Sequence, residues 1–215
     1  MADIQEIVST FRKVWSHSPI NFPEFSGVRI MMMPVKIGFL DGVPENYHQL
    51  VEQLYGMTEH RFKGQIGYLT IDEKELMPNE TLRRSGLHVD GYYHGRCGAW
   101  GGGGSWGSVG NGMLTVSNTP HCKAWVGLAR GKIGDEGEAD QMDLSNCGSV
   151  VFEAGSVYWV DGACIHESLP VKEYTKRQFV RLSMPSNGPW FIGYTENPAG
   201  IHPSNDILPC RSEFM

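Results

Sequence analysis

From Gly64 onward the chain breaks into short runs rich in β-branched and aromatic residues, each closed by Gly, Pro or Asn: QIGYLTI, GLHVDGYY, NGMLTVSN, KAWVGLA, GSVVFEA, GSVYWV, CIHESLPV and QFVRLSM. Eight such runs, too short and too often interrupted for helices, predict a sandwich, jelly roll or barrel. Two stripes at three- and four-residue spacing precede them. Ile4, Ile7, Val8, Phe11, Val14 and Trp15 predict one amphipathic helix, and Tyr47, Leu50, Val51, Leu54 and Tyr55, stopping at Gly56, predict a second. The expected architecture is mainly β with N-terminal helices: a helical support over 1–63, a β-core over 64–190 and a tail over 191–215. Nothing in the composition divides the 215 residues, so one domain is expected.

A net charge of -6 without any block of Lys or Arg argues against nucleic acid and against an anionic membrane, which leaves a small molecule or a peptide as the expected partner. Cys97, Cys122, Cys147, Cys164 and Cys210 are odd in number, widely spaced and without a CxxC pair, the usage of reduced thiols in a cytoplasmic setting. The opening MADIQEIVSTFRKVW is interrupted by charge, and no apolar run approaches the ~18 residues of a membrane span, so neither a signal peptide nor a span is expected.

Chemistry concentrates in two places. In GLHVDGYYHG, His88 and Asp90 are two residues apart, so on a strand an imidazole and a carboxylate share one face. Two ligands make a weak site, and His166 in CIHESLPV offers a third. The next run carries Arg181 and Ser183 on one face. Between these places, the stretch from 86 to 112 holds 11 of the chain's 27 glycines, too many for a regular strand throughout. It reads either as a surface excursion or as a lid in which Trp100 and Trp106 cover a substrate. The acidic residues Asp135, Glu136, Glu138, Asp140 and Asp143 lack the spacing of a calcium loop and read as a solvated loop.

HVD at 88–90, IHESLPV at 165–171 and FVRLS at 179–183, in this order among the strands, resemble the iron(II)- and 2-oxoglutarate-dependent oxygenase superfamily with its double-stranded β-helix, or jelly-roll, core. The likeness spans about 64 to 190. It implies a dioxygenase in which His88, Asp90 and His166 are the catalytic metal ligands of Fe(II). Two imidazoles and one carboxylate on one face leave open positions for 2-oxoglutarate and O₂. The implied reaction hydroxylates an unactivated C–H bond of a small molecule or amino-acid side chain and releases succinate and CO₂. The carboxylate at position 90 favours hydroxylation over halogenation, which in the family goes with a small residue there.

The far carboxylate of 2-oxoglutarate needs a fixed cation. With a hairpin turn near Tyr174, register places Arg181 close to His166 and Arg177 nearer the turn, so Arg181 is the expected clamp, aided by Ser183. Arg177 reads as a rim cation or as one that merely solvates the turn. Tyr68, Thr70, Tyr92, His94 and Trp125 complete the expected wall, together with Trp100 and Trp106. Two other readings stay open: a cupin-like metal enzyme that does not use 2-oxoglutarate, and a non-catalytic jelly-roll binding protein.

Overall fold

Most of the runs rich in branched residues do form strands. In the computed structural model, residues 4–15, 19–93, 96–97, 112–120, 122–186, 190–204 and 206–208 are described, with Tyr93, Arg96, Cys97, Phe191 and Leu208 by backbone alone. The elements are β1 (Gln5–Ser9), β2 (Phe11–Lys13), β3 (Arg29–Lys36), α1 (His48–Gly56), β4 (Ile66–Leu76), β5 (Tyr92–Tyr93), β6 (Arg96–Cys97), β7 (Met113–Ser117) and β8 (Cys122–Lys132). They continue with β9 (Gln141–Asp143), β10 (Cys147–Val151), β11 (Tyr158–Val160), β12 (His166–Ser168), β13 (Thr175–Ser183), β14 (Trp190–Phe191) and β15 (Ile207–Leu208). The chain is mainly β, built around two antiparallel sheets. In the first, β8 runs through the middle, with β9 and β10 along one side and β1 and β12 along the other. The second has the order β2-β11-β7-β13-β4-β3.

Alternation along β13 shows what each face of the second sheet does. Val180 and Leu182 join Ile30, Val35, Leu69, Ile71, Leu114 and Val116 on the outer face, where Leu50, Val51 and Leu54 of α1 cover them. Arg177, Phe179 and Arg181, of the opposite parity, turn toward the first sheet and line a cavity. Beside that cavity Met113, Tyr158 and Val160 of the second sheet meet Ala124 of the first, with Phe152 and Cys164 between. The interior between the sheets is therefore apolar at one place and cationic at another.

The helix predicted from the stripe Tyr47 to Tyr55 is present as α1, and the one predicted ahead of it is not. Residues 5–9 and 11–13 are strands: β1 pairs with β8 from Gln5↔Gly131 to Ser9↔Gly127, and β2 pairs with β11. Of the stripe that suggested a helix, Ile4, Val8 and Trp15 are exposed. A helix this short is marginal alone, whereas β-branched residues beside a waiting edge gain a full ladder. The N-terminal 63 residues are consequently not a helical support, since β1, β2 and β3 are members of the two sheets. Ser9, fully buried, donates from Oγ to the Trp125 carbonyl and accepts from the Ile165 amide, stitching β1 between β8 and the approach to β12. No helix among the described residues is long and apolar enough to cross a membrane, and Cys122, Cys147 and Cys164 are free thiols.

Beneath the helix, one buried carboxylate ties three segments together. Glu73 Oε1 accepts from Tyr47 Oη (2.6 Å) and Gln178 Nε2 (2.8 Å), and its Oε2 accepts from the amides of Ser26 and Val28 at 2.8 Å each. Burial alone pushes the carboxyl upward, but these donors outweigh it and hold the group below its ordinary range, so it stays ionised. Tyr47→Phe, which removes one donor and keeps the ring, is expected to lower the unfolding free energy by about 1–3 kcal/mol in urea denaturation while leaving metal binding unchanged.

Candidate metal centre

His88, Asp90 and His166 come together, each offering a ligand atom within 4.8 Å of the other two. The segment from 84 to 91 is not the strand that the sequence predicts. It is an extended stretch laid against β12, in which the His88 amide donates to the His166 carbonyl and the His166 amide to that of His88, both at 3.0 Å. One residue on, the Val89 amide reaches Gly137 O (2.9 Å), and the Asp90 amide reaches Gly162 O (3.0 Å). Extended backbone preserves the alternation: Val89 buries its side chain in a separate apolar cluster while His88 and Asp90 meet on the other face.

Each imidazole is oriented by a backbone carbonyl. Nδ1 of His88 lies 2.8 Å from Gly86 O, and Nδ1 of His166 lies 2.9 Å from Cys164 O. A carbonyl oxygen can only accept, so each Nδ1 carries the proton and each Nε2 presents its lone pair. The ring centroids are 4.4 Å apart, and His166 Nε2 is 3.5 Å from Asp90 Oδ2. Two imidazole nitrogens and one carboxylate converging in this way suit a divalent transition metal with positions to spare. Burial, aided by the neighbouring His166, holds the His88 imidazole down at about 4. Burial pushes the Asp90 carboxyl up, but Arg181, with help from His166, His88 and Arg83, outweighs it, so the group sits at about 2. At neutral pH His88 is thus uncharged and Asp90 ionised, as ligation requires.

A cavity of about 150 Å³ opens beside the triad, far above the roughly 10–15 Å³ that one water needs. Arg181 Nη1 donates to Asp90 Oδ2 at 3.2 Å, and Nη2 lies 3.1 Å from Met32 Sδ. That sulfur is brought under the guanidinium by a bulge in β3, where the register shifts between Ile30 and Met33 and Met32 adopts φ 50°. Arg177 is 1% exposed and sits deeper, donating from Nη1 to Ser168 Oγ (3.0 Å) and from Nε to Ser117 Oγ (3.3 Å). Among the described residues it has no carboxylate partner, and burial depresses its pKa to about 10.

This placement corrects the sequence reading of Arg177 as a cation at the rim or turn. The expected hairpin is also absent, because β12 belongs to the first sheet and β13 to the second, where Arg181 faces Thr115 of β7 and Thr70 of β4. A crossing between sheets puts β13 opposite the triad rather than beside it. Ser183 is fully buried on β13, away from the cavity lining. Tyr68 stacks on Trp190 (3.4 Å between centroids) next to Met32, and Thr70 Oγ1 accepts from the Met32 amide. Tyr92 Oη accepts from Gln5 Nε2, and Trp125 packs on the second apolar cluster with the Lys123 ammonium 4.6 Å above its ring. None of these four lines the cavity. His94, Trp100 and Trp106 lie outside the described residues.

Residues that sequence reasoning passed over complete the site. Arg83, Arg84, Ser168 and Phe179 all line the cavity. The acidic stretch at 135–140 is not a freely solvated loop: Gly137 O takes the Val89 amide, and Arg84 reaches Glu136 O (2.8 Å) and Glu138 Oε1 (2.7 Å). Gly137 has φ +89°, and a Cβ there would come within 2.6 Å of Val89 O, so the loop can clasp the ligand segment only with glycine at that point. Set against protein-family models, curated proteins and solved structures, the chain matches none.

The depressed His88 value carries a sign that can be measured. Unfolded, this imidazole takes up its proton near pH 6.5, and folded near 4, so between those values the unfolded chain binds more protons. Its contribution to stability is complete above about pH 6.5 and is lost as the pH falls toward 4, a change on the order of 3 kcal/mol. Urea midpoints of chelator-treated protein across that range are expected to fall more steeply for the parent than for His88→Gln.

Proposed function

We propose that the chain is an Fe(II)- and 2-oxoglutarate-dependent oxygenase on a double-stranded β-helix core, hydroxylating an unactivated C–H bond of a small molecule or an amino-acid side chain. The observation that carries this reading is a pairing across the two sheets. On one side stand two Nδ1-anchored imidazoles and a carboxylate, and on the other a buried guanidinium, Arg177, hydrogen-bonded among the described residues to the hydroxyls of Ser168 and Ser117. A buried cation whose hydrogen bonds go to neutral hydroxyls is costly, and an anion that enters the cavity relieves that cost. A dicarboxylate with one end at the triad and the other at Arg177 uses both features.

In this reading His88 and His166 ligate through Nε2 and Asp90 through its carboxylate. When bound, the iron supplies oxidation by O₂ at the expense of 2-oxoglutarate, which leaves as succinate and CO₂. Arg177, fixed by Ser168 and Ser117, takes the far carboxylate as a charge-assisted pair. Arg181, already engaged with Asp90, holds that carboxylate in place and keeps it ionised. Met113, Val160 and Phe179 keep the cavity wall apolar and limit the water within it.

Anaerobic protein given Fe(II) and 2-oxoglutarate is expected to develop a visible metal-to-ligand charge-transfer band, and His88→Ala and His166→Ala are each expected to lose it. No band in the parent overturns the reading. Titrated by the same band, Arg177→Gln is expected to need about 30-fold more 2-oxoglutarate, equivalent to about 2 kcal/mol. Arg181→Gln is expected to weaken iron binding instead. If Arg181→Gln raises the 2-oxoglutarate requirement and Arg177→Gln does not, the clamp is Arg181.

A further inference from the structure

The cavity has more positive charge than the metal and its oxo acid can use. In a chain of net charge -6, its wall carries Arg83, Arg84, Arg177 and Arg181 against Asp90 and Glu136. Arg84 is committed, with Glu138 Oε1 at 2.7 Å and the Glu136 carbonyl at 2.8 Å. Arg181 is held by Asp90. Arg83 is different. Its Nη1 is 3.4 Å from Asp72 Oδ2, a long contact, and Asp72 is held more closely by Arg29 Nε, at 3.0 Å to Oδ1. One carboxylate is thus shared between two guanidiniums. Among the described residues its other polar contact is Met31 Sδ at 3.9 Å, its guanidinium carbon lies 5.9 Å from the centre of the Phe179 ring, and its side chain is 26% exposed.

Charge counting on this wall leads in one direction. With a divalent ion and a doubly charged oxo acid in place, and Arg84 paired with Glu138, the charges of Asp90, Glu136 and the acid match those of the ion, Arg177 and Arg181, which leaves Arg83 with its half-share of Asp72 as the surplus. The guanidinium of Arg83 also lies near enough to Arg177 and Arg181 to repel both. Like charges on a partly desolvated wall are unfavourable until an anion joins them. We propose that Arg83 seats a carboxylate of the primary substrate, so that the substrate is an organic anion whose acid group docks beside Phe179 while its reacting carbon faces the triad. This deepens the oxygenase reading and rests on it.

The probe is trifluoroacetate, a simple carboxylate. Its fluorine relaxation is followed with the full chain loaded with Mn(II), which is redox-inert here and broadens signals from ligands bound close to it. In the parent, broadening is expected to fall when 2-oxoglutarate fills the Arg177 seat and to persist in part at saturation. Under saturating 2-oxoglutarate, Arg83→Gln is expected to reduce the remaining broadening at least fivefold, and Arg83→Lys is expected to keep most of it. The proposal is overturned if 2-oxoglutarate abolishes the broadening in the parent, if Arg83→Gln leaves it unchanged, or if Arg83→Gln weakens 2-oxoglutarate binding as severely as Arg177→Gln. Failure of the oxygenase reading looks different: 2-oxoglutarate displaces none of the probe, while the dependence on Arg83 stands.

Discussion

The two backbone hydrogen bonds exchanged by His88 and His166 are the join on which the rest of the site depends. They fix two residues far apart in the chain at one separation and with one relative orientation, and they do so through peptide groups rather than side chains. The imidazoles are left free to point into the cavity, and each is then oriented by a second peptide group, the carbonyl two residues before it. Asp90 is placed by the same means, through Gly162 O. A ligand set held by main chain costs little side-chain ordering when a metal arrives.

The division of labour between the sheets follows. The edge of the first sheet supplies the donors of the candidate metal centre, and the inner face of the second supplies two guanidiniums, four residues apart on one strand. Because the same strand buries Val180 and Leu182 against the helix layer, a shift of β13 by one residue would send Arg177 and Arg181 into an apolar core and two aliphatic side chains into the cavity. The Glu73 network, with Gln178 on that strand, stands against such a slip.

Much of this was legible in the sequence where the signal is local. His88, Asp90 and His166 stood out because the residue types and their spacing are the chemistry, and the helix over 48–56 because its apolar stripe is closed by Gly56. The stripe from Ile4 to Trp15 misled because β-branched residues satisfy a helical spacing by coincidence, and the ladder with β8 that overrides it involves residues more than a hundred positions away. The sequence suggests a hairpin between His166 and Arg181 because the crossing from one sheet to the other after Ser168 has no composition mark. The docking of Arg83 and of the loop at 135–140 is hidden for a similar reason: the loop is held through a glycine carbonyl, and the arginine is placed by residues as distant as Met31 and Phe179. Neither has a pattern in one dimension.

The N-terminal strands have a consequence in time. Gln5 to Ser9 pair with residues 127 to 131, and Phe11 to Lys13 with residues 158 to 160. During synthesis these two segments therefore emerge more than a hundred residues before the strands they pair with, and until they dock the edges of β8 and β11 that they cover stand open. Such long-range pairing makes for slow folding. Since Ser9 fastens the approach to His166, the ligand set takes its final form only once β1 has come home.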